Sequence, residues 1–269
     1  MLKFLLKKNF CDIWDNLFHF LIVNLINLAL LMIGIAAASF IAKNLLTSFI
    51  VFVIINCILN ISLFAEGNNV KKIANFESPK LKNYFSNILP SIKIALQFGT
   101  FTSILTLIAF VSIPYYFNMW LPTDGSKGNI LGLFLLSFVF WFEVVSILSL
   151  QWFAAIYNLM GNSFLKCLKK SYIIFFDNTL VSIVIGLLNL LGLLFTIFSL
   201  GMVCSIDGMM LTNTNALRLL LYKYDWYEVN PELTKAERKD VPWDDLLEKD
   251  KTTLGPRKLK TIIFPWKEA

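Results

Sequence analysis

The chain has 269 residues, of which 57% are hydrophobic and 16% are charged. Soluble domains have about 45–50% apolar and about 25% charged residues, so this composition excludes a soluble enzyme, a disulfide-rich secreted module and a disordered protein. The net charge of +6 belongs to the first 222 residues, because residues 223–269 contain ten basic and ten acidic side chains. The sequence therefore predicts a membrane domain over residues 1–222 and a polar tail over residues 223–269.

Six apolar segments follow one another along the membrane domain. Each is close to the roughly 20 residues with which a helix crosses the hydrocarbon layer and satisfies its backbone hydrogen bonds. The first is longer than the core of a signal peptide, about 7–15 residues, so we interpret it as an uncleaved helix. The last is far more polar than the others, and its alternatives are a re-entrant segment or a helix packed wholly against protein. The six segments are residues 18–41, 45–65, 94–117, 130–157, 180–200 and 202–221.

The positions of lysine and arginine predict the orientation, since loops that are moved across a membrane are depleted in these residues. With the N-terminus inside, two basic residues fall in the outer loops, Lys43 and Lys127. The predicted architecture is therefore all-α, with six transmembrane helices arranged as three hairpins and with both termini cytoplasmic. Twelve basic residues fall on the inner side: Lys3, Lys7, Lys8, Lys71, Lys72, Lys80, Lys82, Lys93, Lys166, Lys169, Lys170 and Arg218.

A four-residue pattern recurs before the odd-numbered apolar segments. Aromatic rings favour the headgroup level of a bilayer, and Asp or Asn can cap the helix that enters it. The pattern predicts three units, each an interfacial helix followed by a hairpin. Alternatively, any hairpin of this orientation acquires such residues at its inner edge. The three copies are Trp14-Asp15-Asn16-Leu17, Phe85-Ser86-Asn87-Ile88 and Phe176-Asp177-Asn178-Thr179.

Two acidic side chains lie inside the apolar segments, Glu143 in the fourth and Asp207 near the outer end of the sixth. A charge at the centre of a bilayer costs a few kcal/mol, so such residues face the interior of a bundle or a water-filled path. They are either sites for a proton or a cation, or groups that a neighbouring helix satisfies by a hydrogen bond. We favour the second interpretation for Glu143 and expect an asparagine as its partner.

Asparagines occur in pairs in three of the segments. Spacings of three and four residues put the first two pairs on single helix faces. Such faces hold helices together by hydrogen bonds of about 0.6–2 kcal/mol each, or they line a substrate cavity, and we prefer packing. The pairs are Asn24 with Asn27, Asn56 with Asn60, and Asn213 with Asn215.

Short catalytic motifs are missing from the sequence. It contains no phosphate-binding glycine loop, no zinc-protease histidine pattern and no serine-hydrolase elbow. The one histidine, His19, lies at the inner edge of the first segment, where we interpret it as an interfacial residue rather than a base. The cysteines are widely spaced, which predicts neither disulfides nor a metal site. We therefore expect no catalytic residue, no metal and no cofactor.

The tail has two parts. Residues 241–248 predict a short helix that begins after Pro242, and Gly255 followed by a proline ends the helical part. Beyond it, basic residues precede a short apolar run. Such a piece suits binding to the anionic inner leaflet or to the cytoplasmic face of the bundle, and a docking segment for another protein is the alternative. Nucleic-acid binding is not expected, because the tail is electrically balanced. The expected anchors are Trp243, Arg257, Lys258, Lys260 and Trp266.

Three stretches carry a resemblance to a known family. The first helix contains Asn24 and Asn27, followed by Gly34 and three alanines, and amphipathic inner segments occur at residues 82–96 and 164–171. In these features residues 10–223 resemble the YesL-like family of bacterial membrane proteins, although a proline expected beside Gly34 is missing. The resemblance implies a six-helix protein of the bacterial inner membrane, with no catalytic residues to carry over and an association with carbohydrate uptake.

Two functions are compatible with these features. The first is a non-enzymatic membrane accessory protein, a partner of a carbohydrate-uptake or cell-envelope system, whose contacts are the lipid bilayer and another membrane protein such as a transporter subunit. The second is a small secondary transporter or channel that uses Glu143, Asp207 and the asparagine faces.

The lysine and arginine distribution generates a direct test of the topology. Reporter fusions after Gly128 should read outside, and fusions after Asn162 or Ala269 should read inside. The measurement is the activity of paired alkaline phosphatase and fluorescent-protein reporters. A tail that reads outside would contradict the six-span arrangement.

Overall fold

The computed structural model describes residues 1–123, 127–199, 206–234 and 237–257. These ranges contain helices and no strand, together with a single 3-10 turn at Glu237–Lys239. The helices are α1 (Leu2–Asp15), α2 (Leu17–Ile41), α3 (Leu45–Ala74), α4 (Leu81–Trp120), α5 (Ile130–Met160), α6 (Phe164–Asp177), α7 (Thr179–Phe198), α8 (Ile206–Val229), α9 (Trp243–Leu246) and α10 (Glu248–Leu254).

Five helices, α2, α3, α4, α5 and α7, are long and apolar enough to cross a membrane. The prediction of a multi-pass, all-helical membrane protein is thus confirmed. The predicted sixth segment corresponds to α8, which is not one of the five. Instead, α8 is packed against protein along most of its length, and the described helix continues eight residues beyond the predicted end at residue 221. Its polar side chains account for this placement, because lipid offers them no hydrogen-bond partner.

The recurring pattern forms a helix junction at two of its three positions. Asn16 separates α1 from α2, and Asn178 separates α6 from α7. In each case the side-chain Nδ2 donates to a carbonyl four residues earlier, that of Asp12 at 2.8 Å and that of Ile174 at 3.3 Å. The expected N-terminal caps are therefore wrong, because these asparagines bond backwards to the helix that ends at the junction.

The third copy of the pattern forms no junction. Asn87 lies inside α4, which continues from residue 81 through Pro90 into the apolar part of the helix. The Asn87 Nδ2 donates across the interface to the Ala65 carbonyl of α3 at 3.5 Å. The inner segment and the span are thus one 40-residue helix, not an interfacial helix followed by a separate span.

Helices α3 and α4 approach each other closely at Gly99. A Cβ atom at this position would lie 3.0 Å from the Cα of Cys57, so only glycine fits without a shift of one backbone. Beside it, the Asn56 Nδ2 donates at 2.9 Å to the Gly99 carbonyl and at 2.9 Å to the Ser103 Oγ. Close approach at a small residue and an interhelical amide bond are typical of helix pairs in membranes.

The buried core lies towards one end of the bundle. Trp152 and Phe153 are fully buried there, and the Phe153 ring stacks on Phe98 with 4.4 Å between centroids. The first half of α5 is different, since Phe134 and Phe138 are about two-thirds exposed. The end away from the core therefore presents an apolar surface that suits lipid.

The tail folds back onto the end of the bundle that holds α1. Its two short helices lie where one was predicted, and Gly255 ends the second with a φ of +74°. The Lys7 Nζ donates to the Gly255 carbonyl at 3.1 Å, and Arg257 pairs with Asp15 of α1. Trp243 begins α9 and packs at the edge of the core. The expected anchors Lys258, Lys260 and Trp266 lie outside the described residues.

An ion pair between α8 and α10 holds the tail in this position. The Arg218 guanidinium donates to the Asp250 carboxylate at 2.6 and 3.0 Å, and the Asp250 side chain is 4% exposed. The Tyr222 hydroxyl accepts from Arg218 at 2.7 Å. A two-pronged arginine–carboxylate pair of this kind is both strong and geometrically specific.

Replacing Asp250 by Asn should release the tail, because it leaves a largely buried guanidinium without its counter-charge. We expect the free energy of unfolding in detergent to fall by roughly 2–3 kcal/mol, and proteases to cut residues 230–246 faster. The control is Asp244→Asn, which removes the 98% exposed partner of Lys251 and should change neither quantity. Equal protease access in the two variants would contradict a docked tail.

Candidate functional site around helix α8

Helix α8 carries buried polar side chains that bind a series of other helices. Asp207 binds α2, Asn213 binds α5 and α7, Asn215 binds α1, and Arg218 binds α10. Burial of an unpaired polar group costs about 1–3 kcal/mol, so these contacts determine where α8 can lie. These contacts form a polar core around α8, which is the candidate site.

Asp207 and Asn27, both predicted as site residues, are in direct contact. The Asn27 Nδ2 donates to the Asp207 Oδ2 at 2.7 Å, although the two residues are 180 positions apart. The Asn27 Oδ1 accepts from the Ser62 hydroxyl of α3, which also contacts the Tyr84 hydroxyl of α4 at 2.7 Å. Asp207 is fully buried. Four helices thus meet at a single polar cluster.

The depth of this cluster follows from its position on α2. Asn27 lies ten residues from the start of a 25-residue helix, which corresponds to about 15 Å along an axis of about 37 Å. The first described turn of α8 therefore meets α2 well short of the far end of α2. An asparagine–carboxylate contact at this depth holds two helices together in a region where water is scarce.

A second cluster lies nearer the start of α2. The His19 Nε2 is 2.7 Å from the Glu66 Oε1, and the Asn69 Nδ2 donates to the Glu66 Oε2 at 2.9 Å. Glu66 is fully buried and the His19 side chain is 10% exposed. His19, interpreted from the sequence as an interfacial residue, lies in the first turn of α2 with its ring against this buried carboxylate.

The sequence did not lead to Glu66, which is the first residue after the predicted second segment. A usable signal was present, since Ser62, Glu66 and Asn69 recur at spacings of four and three and so lie on one face of α3. The Asn69 Oδ1 also accepts from the backbone amide of Lys80 at 3.1 Å. The cluster thus fixes the loop between α3 and α4 as well as the two helices.

The inner end of α8 meets a buried ion pair on α1. The Lys8 Nζ lies 2.8 Å from the Asp12 Oδ2, and the Asn215 Nδ2 donates to the same oxygen at 2.8 Å. Burial lowers the pKa of Lys8 and raises the pKa of Asp12, because both charges lose contact with water. Asn215 opposes this effect on Asp12 by donating to its carboxylate. The predicted packing role of Asn215 is thus realised against α1.

Phe76 lies close to two cationic side chains, Lys8 and Arg218. Its φ of +63° is in the left-handed region, which is uncommon for a residue with a side chain. The Lys8 Nζ lies 3.8 Å from the centre of its ring, and the Arg218 Cζ lies 5.5 Å from it. Cations above an aromatic face are stabilised by about 0.5–2 kcal/mol, a gain that offsets the cost of the backbone conformation.

Asn213 joins three helices. Its Nδ2 donates to the Gln151 carbonyl of α5 at 2.9 Å, and its Oδ1 accepts from the Asn189 Nδ2 of α7 at 2.8 Å. The same Asn189 nitrogen lies 3.1 Å from the Gln151 Oε1. Asn189 was not among the predicted residues, because a lone asparagine in an apolar run gives no spacing signal.

The remaining predicted asparagines, Asn60 and Asn24, are buried. Asn56 joins α3 to α4, as described above, and the Asn60 Nδ2 donates to the Asn56 carbonyl at 2.8 Å and to its Oδ1 at 3.0 Å. The predicted shared face of this pair is therefore real. Asn24 is buried, with 3% of its surface exposed, on the same helix as Asn27.

Glu143 lies apart from the α8 contacts. It is 8% exposed, and its Oε1 is buried without a hydrogen-bond partner among the described residues. The expected asparagine partner is therefore absent from those residues. Three residues further along α5, the Ser146 hydroxyl accepts from the Tyr172 hydroxyl of α6 at 3.1 Å, a contact that does not involve the carboxyl group.

Neither metal binding nor thiol chemistry is indicated in the described parts of the chain. They contain no group of three or more histidine, cysteine or acidic side chains that could hold a metal ion. Cys11 and Cys167 are buried free thiols, and burial raises the pKa of Cys167 to about 11. A thiol with such a pKa is a poor nucleophile at neutral pH. What the carboxylates of the site are seen to do is accept hydrogen bonds from other helices.

Comparison with protein-family models, with curated proteins and with solved structures gives no match. The resemblance to the YesL-like family accordingly stays a prediction.

The two buried glutamates should respond differently to loss of charge. Glu66→Gln weakens the acceptors used by His19 and Asn69, so we expect the free energy of unfolding to fall by about 1–3 kcal/mol. Glu143→Gln removes no observed hydrogen bond and should leave folding nearly unchanged. Thermal and denaturant unfolding of the two purified variants in detergent measures both effects. A severe loss of folding in Glu143→Gln would show that this carboxylate has a charged partner.

Proposed function

We propose that the chain is a non-enzymatic integral membrane accessory protein. The observation that carries this proposal is that four of the predicted intramembrane asparagines form hydrogen bonds with other helices. Asn27, Asn56, Asn213 and Asn215 each bind a neighbouring helix. Groups that recognise a transported solute would instead be turned towards a water-filled path. The polar residues therefore act as connectors between helices.

The proposed topology has six spans in three hairpins, with both termini on the cytoplasmic side of the bacterial inner membrane. It is supported by the contacts Lys7 to Gly255 and Arg257 to Asp15, which place the tail beside α1. Because α1 and the described part of the tail lie at one end of the bundle, the chain between them crosses an even number of times, and five apolar helices need α8 to complete that number. The excess of basic residues at the same end favours the cytoplasmic side.

The proposed partner is another membrane protein, such as a transporter subunit. The docked tail favours this class of partner, because it joins α1 and α8 into one ordered surface outside the spans. The resemblance to the YesL-like family points to a carbohydrate-uptake system as the complex that contains such a subunit.

A second candidate, a small transporter, is favoured by one observation. The pairs His19–Glu66 and Asn27–Asp207 place two fully buried carboxylates beside groups that exchange protons or hydrogen bonds. Buried acids of this kind mark proton relays in many transporters. In this alternative Glu66 and Asp207 would line the path of a proton or a cation, with His19 beside Glu66.

Reconstitution into liposomes separates the two candidates. For the accessory protein we expect no proton or cation flux above that of empty liposomes, under either a pH gradient or a membrane potential. Flux that the variants Glu66→Gln and Asp207→Asn abolish, and that Glu143→Gln retains, would overturn the proposal in favour of transport.

Chemical cross-linking in native membranes, followed by purification, tests the partner. We expect a membrane subunit of a transport system at a constant ratio to the protein. That ratio should fall at least about fivefold in Asp250→Asn and stay unchanged in Asp244→Asn, because only the first variant releases the tail. A ratio that does not respond to release of the tail would contradict the role given to the docked surface.

A further inference from the structure

A groove of about 800 Å³ lies between α6, the inner half of α8 and the beginning of the tail. Its apolar lining residues include Ile173, Val181 and Trp243, and its polar lining residues include Lys170 and Arg238. Hydrophobic and cationic side chains thus line the same groove. None of the residues that line it takes part in the contacts at Asp207 or Glu66.

The charge of the groove is positive. Lys170, Lys223, Arg238 and Lys239 line it together with one carboxylate, Asp177. That carboxylate is already engaged, since it accepts from the Tyr224 hydroxyl at 2.6 Å and lies 3.5 Å from the Lys223 Nζ. It also helps to raise the pKa of Tyr224, after the larger effect of burial. Lys170, Arg238 and Lys239 therefore line the groove without an acidic partner among the described residues.

Arg238 is the clearest case. Its Nε is buried and has no hydrogen-bond partner within the described part of the chain. Its guanidinium lies 5.6 Å from the centre of the Tyr227 ring, and the Tyr227 hydroxyl donates to the Arg238 carbonyl at 2.7 Å. Lys170 has no carboxylate partner among the described residues, and its Nζ lies 3.1 Å from the Met160 sulfur. Both cations are held in place by neutral groups, which leaves their charge available to a ligand.

The groove lies at the level where the span α7 begins. Asn178 and Val181, which line it, belong to the junction of α6 and α7 and to the first turn of α7. The neighbouring side chains Phe176 and Leu180 are 67% and 80% exposed, as expected where lipid covers them. Lysine and arginine at this level meet the phosphates of a leaflet. The position therefore favours a ligand that has an anionic head and an apolar tail.

We infer that the groove binds one anionic phospholipid from the leaflet at this end of the bundle. Its phosphate lies among Lys170, Arg238 and Lys239, and the upper part of an acyl chain lies along Ile173 and Val181.

The test measures lipid binding to the purified full-length chain by native mass spectrometry in detergent. Phosphatidylglycerol and phosphatidylcholine with identical acyl chains are the probes, and sn-glycerol 3-phosphate is the soluble headgroup. We expect one tightly bound phosphatidylglycerol, at least about tenfold weaker binding of phosphatidylcholine, and no binding of the soluble headgroup at the same concentration. Equal binding of the two lipids would overturn the inference. Displacement of the lipid by the soluble headgroup would instead indicate a site for a free phosphorylated solute.

A matched pair of variants locates the site. The triple variant Lys170→Gln, Arg238→Gln and Lys239→Gln should bind phosphatidylglycerol at least about tenfold more weakly. The control removes three exposed lysines outside the groove, by Lys166→Gln, Lys169→Gln and Lys249→Gln, and should bind it as the unmodified chain does. Equal losses in the two variants would show attraction by net charge alone and contradict a defined site.

Photo-cross-linking of the unmodified chain makes the test independent of how the variants fold. Phosphatidylglycerol with a diazirine near the glycerol end of one acyl chain should label peptides that contain residues 170–181 or 238–243. Labelling spread evenly over the apolar helices would contradict the inference, because it describes general solvation by lipid.

Discussion

The burial of a polar helix is the constraint on which the rest of the structure depends. Helix α8 is too polar for lipid, yet it lies against the apolar helices of the bundle. Each of its buried polar groups must find a partner, at a cost of about 1–3 kcal/mol if it fails. Those partners come from α1, α2, α5, α7 and α10, so a single requirement positions five other elements. The remaining long helices add their own polar contacts, such as Asn56 of α3 with the Gly99 carbonyl of α4, to the apolar packing between them.

This arrangement makes the two ends of the bundle different. At one end, ion pairs, aromatic packing and the docked tail give a dense interior that includes the fully buried Lys8 and Trp152. At the other end, the helices present exposed Phe and Leu side chains, which only a hydrocarbon solvent would cover. Polar and ionic contacts thus hold the helices together at one end, and the other end presents an apolar surface that suits lipid. Both the tail contacts and the cationic groove lie at the polar end, where contact with a partner or a lipid headgroup is possible.

The buried carboxylates serve the structure in different ways. Asp207 and Glu66 each contact a side chain of α2, Asn27 and His19 respectively. These two contacts depend on the position of α2 relative to α8 and α3. Glu143 lacks such a contact, because its buried Oε1 has no hydrogen-bond partner among the described residues. A structural role explains the first two residues as well as transport does, which is why the flux measurement is decisive. The same reasoning explains why asparagine is frequent here, since its amide donates and accepts without carrying a charge into the membrane.

The sequence by itself determined where the apolar helices lie. The predicted segments at residues 18–41 and 130–157 begin within one residue of α2 and α5, because hydropathy is a local and additive property. The spacing of Asn56 and Asn60 likewise gave their shared face, as 3.6 residues per turn requires. The same local reasoning placed a helix break at Asn87, where the chain continues as one helix, and it overlooked Glu66 just beyond the end of an apolar run.

Only the tertiary structure decided which polar groups meet. His19 and Glu66 are 47 positions apart and Asn27 and Asp207 are 180 positions apart, and no periodicity within one helix relates them. Two expectations were wrong for the same reason. The Oε1 of Glu143 has no asparagine partner among the described residues, and Asn16 and Asn178 do not cap the helices that follow them. A hydrogen bond depends on the direction and distance of two specific atoms, whereas a membrane span depends on the average character of about twenty residues.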